Sequence, residues 1–95
     1  MAYENAGETT DYILTVPDLK VRPEVSDECC AMPAATLIEE FVGKVDFVDA
    51  VSASSKEGAV LVSIKGASDA RLADIRSRIG KLGYEVTEAR EAAAV

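Results

Sequence analysis

The chain has 95 residues, 48% hydrophobic and 28% charged, with a mean hydropathy of +0.08. At about 100 to 200 residues per domain this is one globular domain, which excludes a two-domain enzyme and leaves little room for a deep substrate cleft. Seventeen acidic against ten basic residues give a net charge of -7, which disfavours nucleic acid and anionic membrane surfaces as partners.

Residues 1–10 are polar and read as a flexible tail, 11–89 as the domain, and 90–95 as a second tail or linker. No stretch approaches the roughly 18 apolar residues of a membrane span. The opening MAYENAGETTDY lacks the basic and apolar regions of a secretory signal. The expectation is a cytoplasmic domain without direct membrane insertion.

Tyr12-Ile-Leu-Thr-Val16 alternates and carries β-branched residues, which predicts a strand ending at Pro17. Pro17 to Met32 has two prolines, several charges and no sustained period, and reads as a long loop. A helix is predicted from Pro33 to Val42, with Ala34, Leu37, Ile38, Phe41 and Val42 on one face and Gly43 closing it in a left-handed conformation. Val45 to Ala53 and Val60 to Ile64 read as a hairpin around Ser54-Ser-Lys-Glu-Gly58. Ser68 can cap a second helix carrying Leu72, Ile75, Ile79 and Leu82, with Asp74 and Arg78 four apart outside and Gly83 at its end. Tyr84 to Glu88 is the last predicted strand. The order βαββαβ predicts an α+β ferredoxin-like sandwich, a four-stranded antiparallel sheet with two helices on one face.

The charge is uneven. Residues 1–43 hold nine acids and only Lys20 and Arg22, whereas 44–95 hold eight of each sign. The acidic half also holds both cysteines, Cys29 and Cys30. Their Cα atoms lie about 3.8 Å apart across a trans peptide, whereas a disulfide usually needs about 4.4 to 6.8 Å, so the two bridge each other only with strain. With no histidine in the chain, Ser-His-Asp and Cys-His catalysis and imidazole metal ligands are absent. Glu39-Glu40 reads as solvated surface, since helix neighbours point apart.

The chemistry left is in Ser26-Asp-Glu-Cys-Cys-Ala-Met-Pro33. Sulfurs bound tetrahedrally at about 2.3 Å from one ion are about 3.8 Å apart, which adjacent cysteines can span. A helix N-terminus nearby favours thiolate, while Asp27 and Glu28 oppose it until a divalent ion binds. Cys29, Cys30 and a carboxylate from Glu28 or Asp27 then supply three ligands to Zn²⁺ or Cd²⁺, and the fourth comes from water or a partner. Cu⁺ and Hg²⁺ are also compatible with two thiolates. The bland reading stays open: one cysteine is a small buried hydrophobe and the other an incidental neighbour. For Met32, core packing or edge cover is favoured over ligation.

The chain resembles the heavy-metal-associated domain family over Tyr12 to Glu88. The resemblance rests on Leu14-Thr-Val16, Leu37-Ile-Glu39, Val60-Leu-Val-Ser-Ile64 and Leu72, Ile75 and Ile79 followed by Gly83-Tyr84-Glu-Val86. The metal motif departs from the family pattern. Counting back from Ile38 puts Ala34 and Ala31 where the family has its two cysteines, Asp18-Leu19 looks like its Gly-Met pair, and an insertion delivers Cys29 and Cys30 instead. The resemblance implies a non-catalytic module that captures a metal ion and passes it to a metal-transporting P-type ATPase or another metal-transfer protein. It is equally the pattern of such an ATPase's own N-terminal domain or of a free metallochaperone. Two other classes compete: a small-molecule regulatory module resembling ACT domains, with incidental thiols, and a thiol redox enzyme.

Overall fold

The structure, a computed structural model, describes residues 9–26 and 31–92. Its centre is strand β1, Thr9–Thr15, flanked by β5, Ala59–Lys65, and β6, Glu88–Glu91. With β4, Val48–Ser54, outside β5, the four-stranded order is β4-β5-β1-β6, antiparallel at every pairing. β1 runs from Thr9↔Lys65 to Thr15↔Ala59, beginning earlier than its apolar residues suggest, because ladder hydrogen bonds come from backbone whatever the side chain.

The period of two selects the core face. Val60, Val62 and Ile64 of β5 are fully buried, as are Leu14 of β1 and Val16 just after it, whereas Leu61 is 43% exposed on the opposite face. Against the buried face pack helix α2, Ala34–Gly43, and helix α3, Asp69–Lys81. Each presents residues at helical spacing: Ala34, Ile38 and Val42 from α2, Ile75 and Ile79 from α3, all fully buried. Leu37 and Phe41 are half-buried beside this stripe. Each fully buried aliphatic side chain contributes about 1.5 to 3 kcal/mol, so the shared core holds the two layers together.

α3 begins as its sequence suggests: Ser68 is extended, and its Oγ accepts from the Arg71 N–H at 3.2 Å. Past its end, Gly83 is left-handed at φ 93. The hairpin turn is likewise closed by a left-handed Gly58.

Three expectations are corrected. The long loop of residues 17–32 contains a short helix α1, Asp18–Val21, and strand β2, Glu24–Ser26. α1 follows Pro17, already at helical φ, and sinks Leu19 completely into the core, one apolar residue among charges and too little to form a readable period. Gly43 is the last residue of α2 and has no positive φ. The chain leaves α2 instead through tight turns, Val45 N–H to Val42 O at 3.1 Å and Val48 N–H to Val45 O at 3.0 Å, which draw Val45 into the core. Finally, β6 starts at Glu88 rather than Tyr84. Tyr84 and Val86 are buried alternately with exposed Glu85 and Thr87, a strand-like pattern produced by packing, and pairing with β1 begins only where Thr87 N–H meets Thr15 O at 2.9 Å. β6 extends to Glu91, and Ala92 N–H donates to Asp11 O. No described helix is long and apolar enough to cross a membrane.

Candidate functional site

Between α1 and α2 the chain forms a two-stranded antiparallel ribbon apart from the main sheet, β2 with β3, Ala31–Pro33. Its register is Glu24↔Pro33, Val25↔Met32 and Ser26↔Ala31. The residues singled out by their chemistry, Asp27, Glu28, Cys29 and Cys30, lie outside the described residues. The backbone that bounds them on both sides is described, and it ends in the paired Ser26 and Ala31.

The ribbon is tied to the domain at its base. Ala34 N–H, the first of α2, donates to Pro23 O at 2.8 Å, so the start of the helix and the start of the ribbon are one hydrogen-bonded unit. Val25 packs against the core, while Met32 across from it is 39% exposed. Of the two places expected for Met32, core packing is not met and edge cover is the one that fits, since the residue stays exposed on the three-residue strand β3. α2 carries no acidic residue in its first turn and no side-chain cap from its N-cap residue, Pro33; its first N–H is met by the Pro23 carbonyl instead.

A second tie comes from the far end of the chain. Tyr84 Oη donates to Arg22 O at 2.7 Å, and the Arg22 guanidinium lies over the Tyr84 ring. Arg22 Nη2 also donates to Gly83 O at 2.6 Å and pairs with Asp18 at 3.3 Å. The residues leading into β2 are thus held against the turn that follows α3. Sequence reasoning gave Arg22 no role, and it read Tyr84 as strand and as part of the Gly83-Tyr84 ending, with no partner assigned to it. Its available signal was an aromatic with a polar tip directly after a helix-ending glycine.

An open groove of about 730 Å³ passes this clasp, lined by Asp18, Arg76, Ser77, Gly80, Tyr84 and Val86 among others. Arg76 Nη2 donates to Val86 O at 3.2 Å, so its guanidinium is engaged in holding the groove wall. The Glu39-Glu40 pair divides: Glu40 is exposed, but Glu39 is half-buried and its Oε2 accepts from the Ala53 N–H at 2.8 Å, which corrects the reading of both as solvated surface.

Among the described residues no three of His, Cys, Asp and Glu gather as a cation site. Comparison of the chain with protein-family models, with curated proteins and with solved structures found no match.

Proposed function

We propose that this domain binds one thiophilic or borderline metal ion through Cys29 and Cys30, with Glu28 or Asp27 as a carboxylate ligand to Zn²⁺ or Cd²⁺, and passes the ion to a partner by ligand exchange. The observation that supports the reading is that both thiols fall within residues 27–30, the link between the paired Ser26 and Ala31, and that β3 alone separates them from the N-terminus of α2. Such a site needs two sulfurs within reach of one ion and a local field that favours thiolate.

The ferredoxin-like reading of the fold belongs to the same proposal. The order β4-β5-β1-β6, with α2 joining β1 to β4 and α3 joining β5 to β6, is that of a split βαβ pair. The α1 helix and the ribbon are then an insertion ahead of the first of the two main helices. The ion is cargo, and no bond chemistry on a substrate is involved. A metal-transporting ATPase, as the parent chain or as an acceptor, or another metal-transfer protein is the corresponding partner.

The test is a competition titration of the reduced full chain with Zn²⁺, Cd²⁺, Cu⁺ and Hg²⁺, read by thiolate absorption and by non-denaturing mass measurement. About one ion per chain is expected, lost in the Cys29→Ser/Cys30→Ser double variant. Adducts that persist in that variant, or a wild-type protein that takes up none of the four ions, refute the proposal.

A further inference from the structure

Among the described residues the sheet has two outer edges, and they are built differently. β6 is Glu-Ala-Arg-Glu, short and mostly charged, a common way for a sheet to discourage strand addition. β4 is Val-Asp-Ala-Val-Ser-Ala-Ser, seven residues with Asp49 its one charge. A long edge of small and β-branched residues is the kind that pairs with another chain.

The ladder sets which backbone groups of β4 face outward. Ala50, Ser52 and Ser54 oppose Ser63, Leu61 and Ala59, alternating with Val51 and Ala53 opposite Val62 and Val60. In an antiparallel ladder alternate residues direct their N–H and C=O to opposite sides. The Ala53 N–H is turned away from β5, because it donates to Glu39 Oε2 at 2.8 Å. By the same alternation Val51 also presents its N–H and C=O at the free edge. Glu39 reaches there from α2, which packs behind β4, and an irregularity between Val48 and Ala50 bends the start of the strand.

We propose that Glu39 is an edge lock. Its carboxylate takes the Ala53 N–H out of reach and stands a negative charge beside β4, which keeps the β4 edges of two copies from pairing. The strand's own acid, Asp49, does not do this: it lies in the irregularity between Val48 and Ala50, exposed and paired with Lys65 Nζ at 4.0 Å. A second β4 could pair here only by displacing the Glu39 carboxylate from the Ala53 N–H and desolvating its charge beside the new ladder, which is costly. This inference does not depend on the thiol reading.

The experiment combines amide hydrogen exchange by NMR with sedimentation over a concentration series, on reduced full-length protein whose fold is checked by circular dichroism. Wild type is expected to be monomeric with a protected Ala53 amide. In Glu39→Ala, Ala53 exchange should rise about tenfold at low concentration, and a dimer should form as concentration increases. Glu39→Gln keeps an acceptor while removing the charge, so it should retain Ala53 protection and self-associate at higher concentration than Glu39→Ala. The proposal is overturned by an Ala53 amide that stays as slow in Glu39→Ala as in wild type, by monomeric behaviour of both variants throughout the series, or by wild-type protein already paired through β4.

Discussion

Tyr84 and Arg22 hold each other twice: the phenol donates to the Arg22 carbonyl at 2.7 Å, and the Arg22 guanidinium carbon lies 4.6 Å from the Tyr84 ring centroid. One contact uses the backbone of the residue and the other its side chain, so the segment entering the β2–β3 ribbon is fixed in both position and orientation. Removing only the hydroxyl, in Tyr84→Phe, should cost about 1 kcal/mol, the usual net value of one hydrogen bond. Arg22→Ala leaves the phenol bond intact but removes the ring contact, the hydrogen bond to Gly83 O and the exposed pair with Asp18, and should cost about 1 to 2 kcal/mol. Denaturant unfolding of both single variants and of Arg22→Ala/Tyr84→Phe checks this. Because the two residues are in direct contact, the cost of the double variant is expected to depart from the sum of the single costs by about 0.5 kcal/mol or more.

The three glycines around α3 and the hairpin turn should respond in different directions to alanine. Gly80 is helical, and a Cβ there would meet nothing within 4 Å, so Gly80→Ala should stabilise by about 0.5 to 1 kcal/mol. Gly83 has equal space but φ +93, so Gly83→Ala should destabilise by about 1 to 2 kcal/mol through backbone strain alone. Gly58 combines φ +65 with a Cβ position 3.3 Å from Val16 O and 3.1 Å from Lys20 Cγ. Gly58→Ala should therefore be the most damaging of the three. Thermal midpoints that failed to fall in the order Gly80→Ala, Gly83→Ala, Gly58→Ala would contradict this account.

Ile79 of α3 is fully buried in the core that the helices share with the sheet. Ile79→Ala should cost about 2 to 5 kcal/mol from lost burial and the cavity left behind. At about 4 to 8 °C per kcal/mol for a domain of this size, the thermal midpoint should drop by more than about 8 °C. By contrast Ser68→Ala, which removes the α3 cap at its exposed N-terminus, should cost about 1 kcal/mol.

If Cys29 and Cys30 carry the ion as thiolates, each binding event displaces thiol protons. Binding of Zn²⁺ and Cd²⁺ should release protons at neutral pH, measurable in weakly buffered titrations, and affinity should fall as the pH is lowered, because protons then compete with the metal for sulfur. Stability should follow the same sign: metal raises the unfolding midpoint at neutral pH, and the increment shrinks on acidification.

The carboxylate ligand makes a separate prediction. Glu28→Ala or Asp27→Ala, whichever residue ligates, should weaken Zn²⁺ and Cd²⁺ binding while changing Cu⁺ binding little, since Cu⁺ prefers sulfur and gains little from a carboxylate. Equal losses for all the ions would point to a general charge effect. No change in either variant for Zn²⁺ and Cd²⁺ would remove the carboxylates from the ligand set.

Periodicity and turn chemistry along the chain determine a large part of the architecture. The alternation of Val60, Val62 and Ile64, the spacing of Ile75 and Ile79, and Ser68 and Gly83 at the two ends of α3 are local statements, because each depends on neighbours a few residues away. The same holds for the list of chemically capable side chains, in which the adjacent thiols stand out because histidine is absent. Tertiary structure decided what depends on distant partners: that Leu19 has a place in the core and so makes α1, that Glu24 to Ser26 finds Ala31 to Pro33, that Tyr84 is anchored on Arg22 rather than on β1, and that Glu39 reaches Ala53. None of these leaves a period in the chain. Each rests on contacts whose energy exists only once the sheet and helices have brought remote segments within hydrogen-bonding or packing distance.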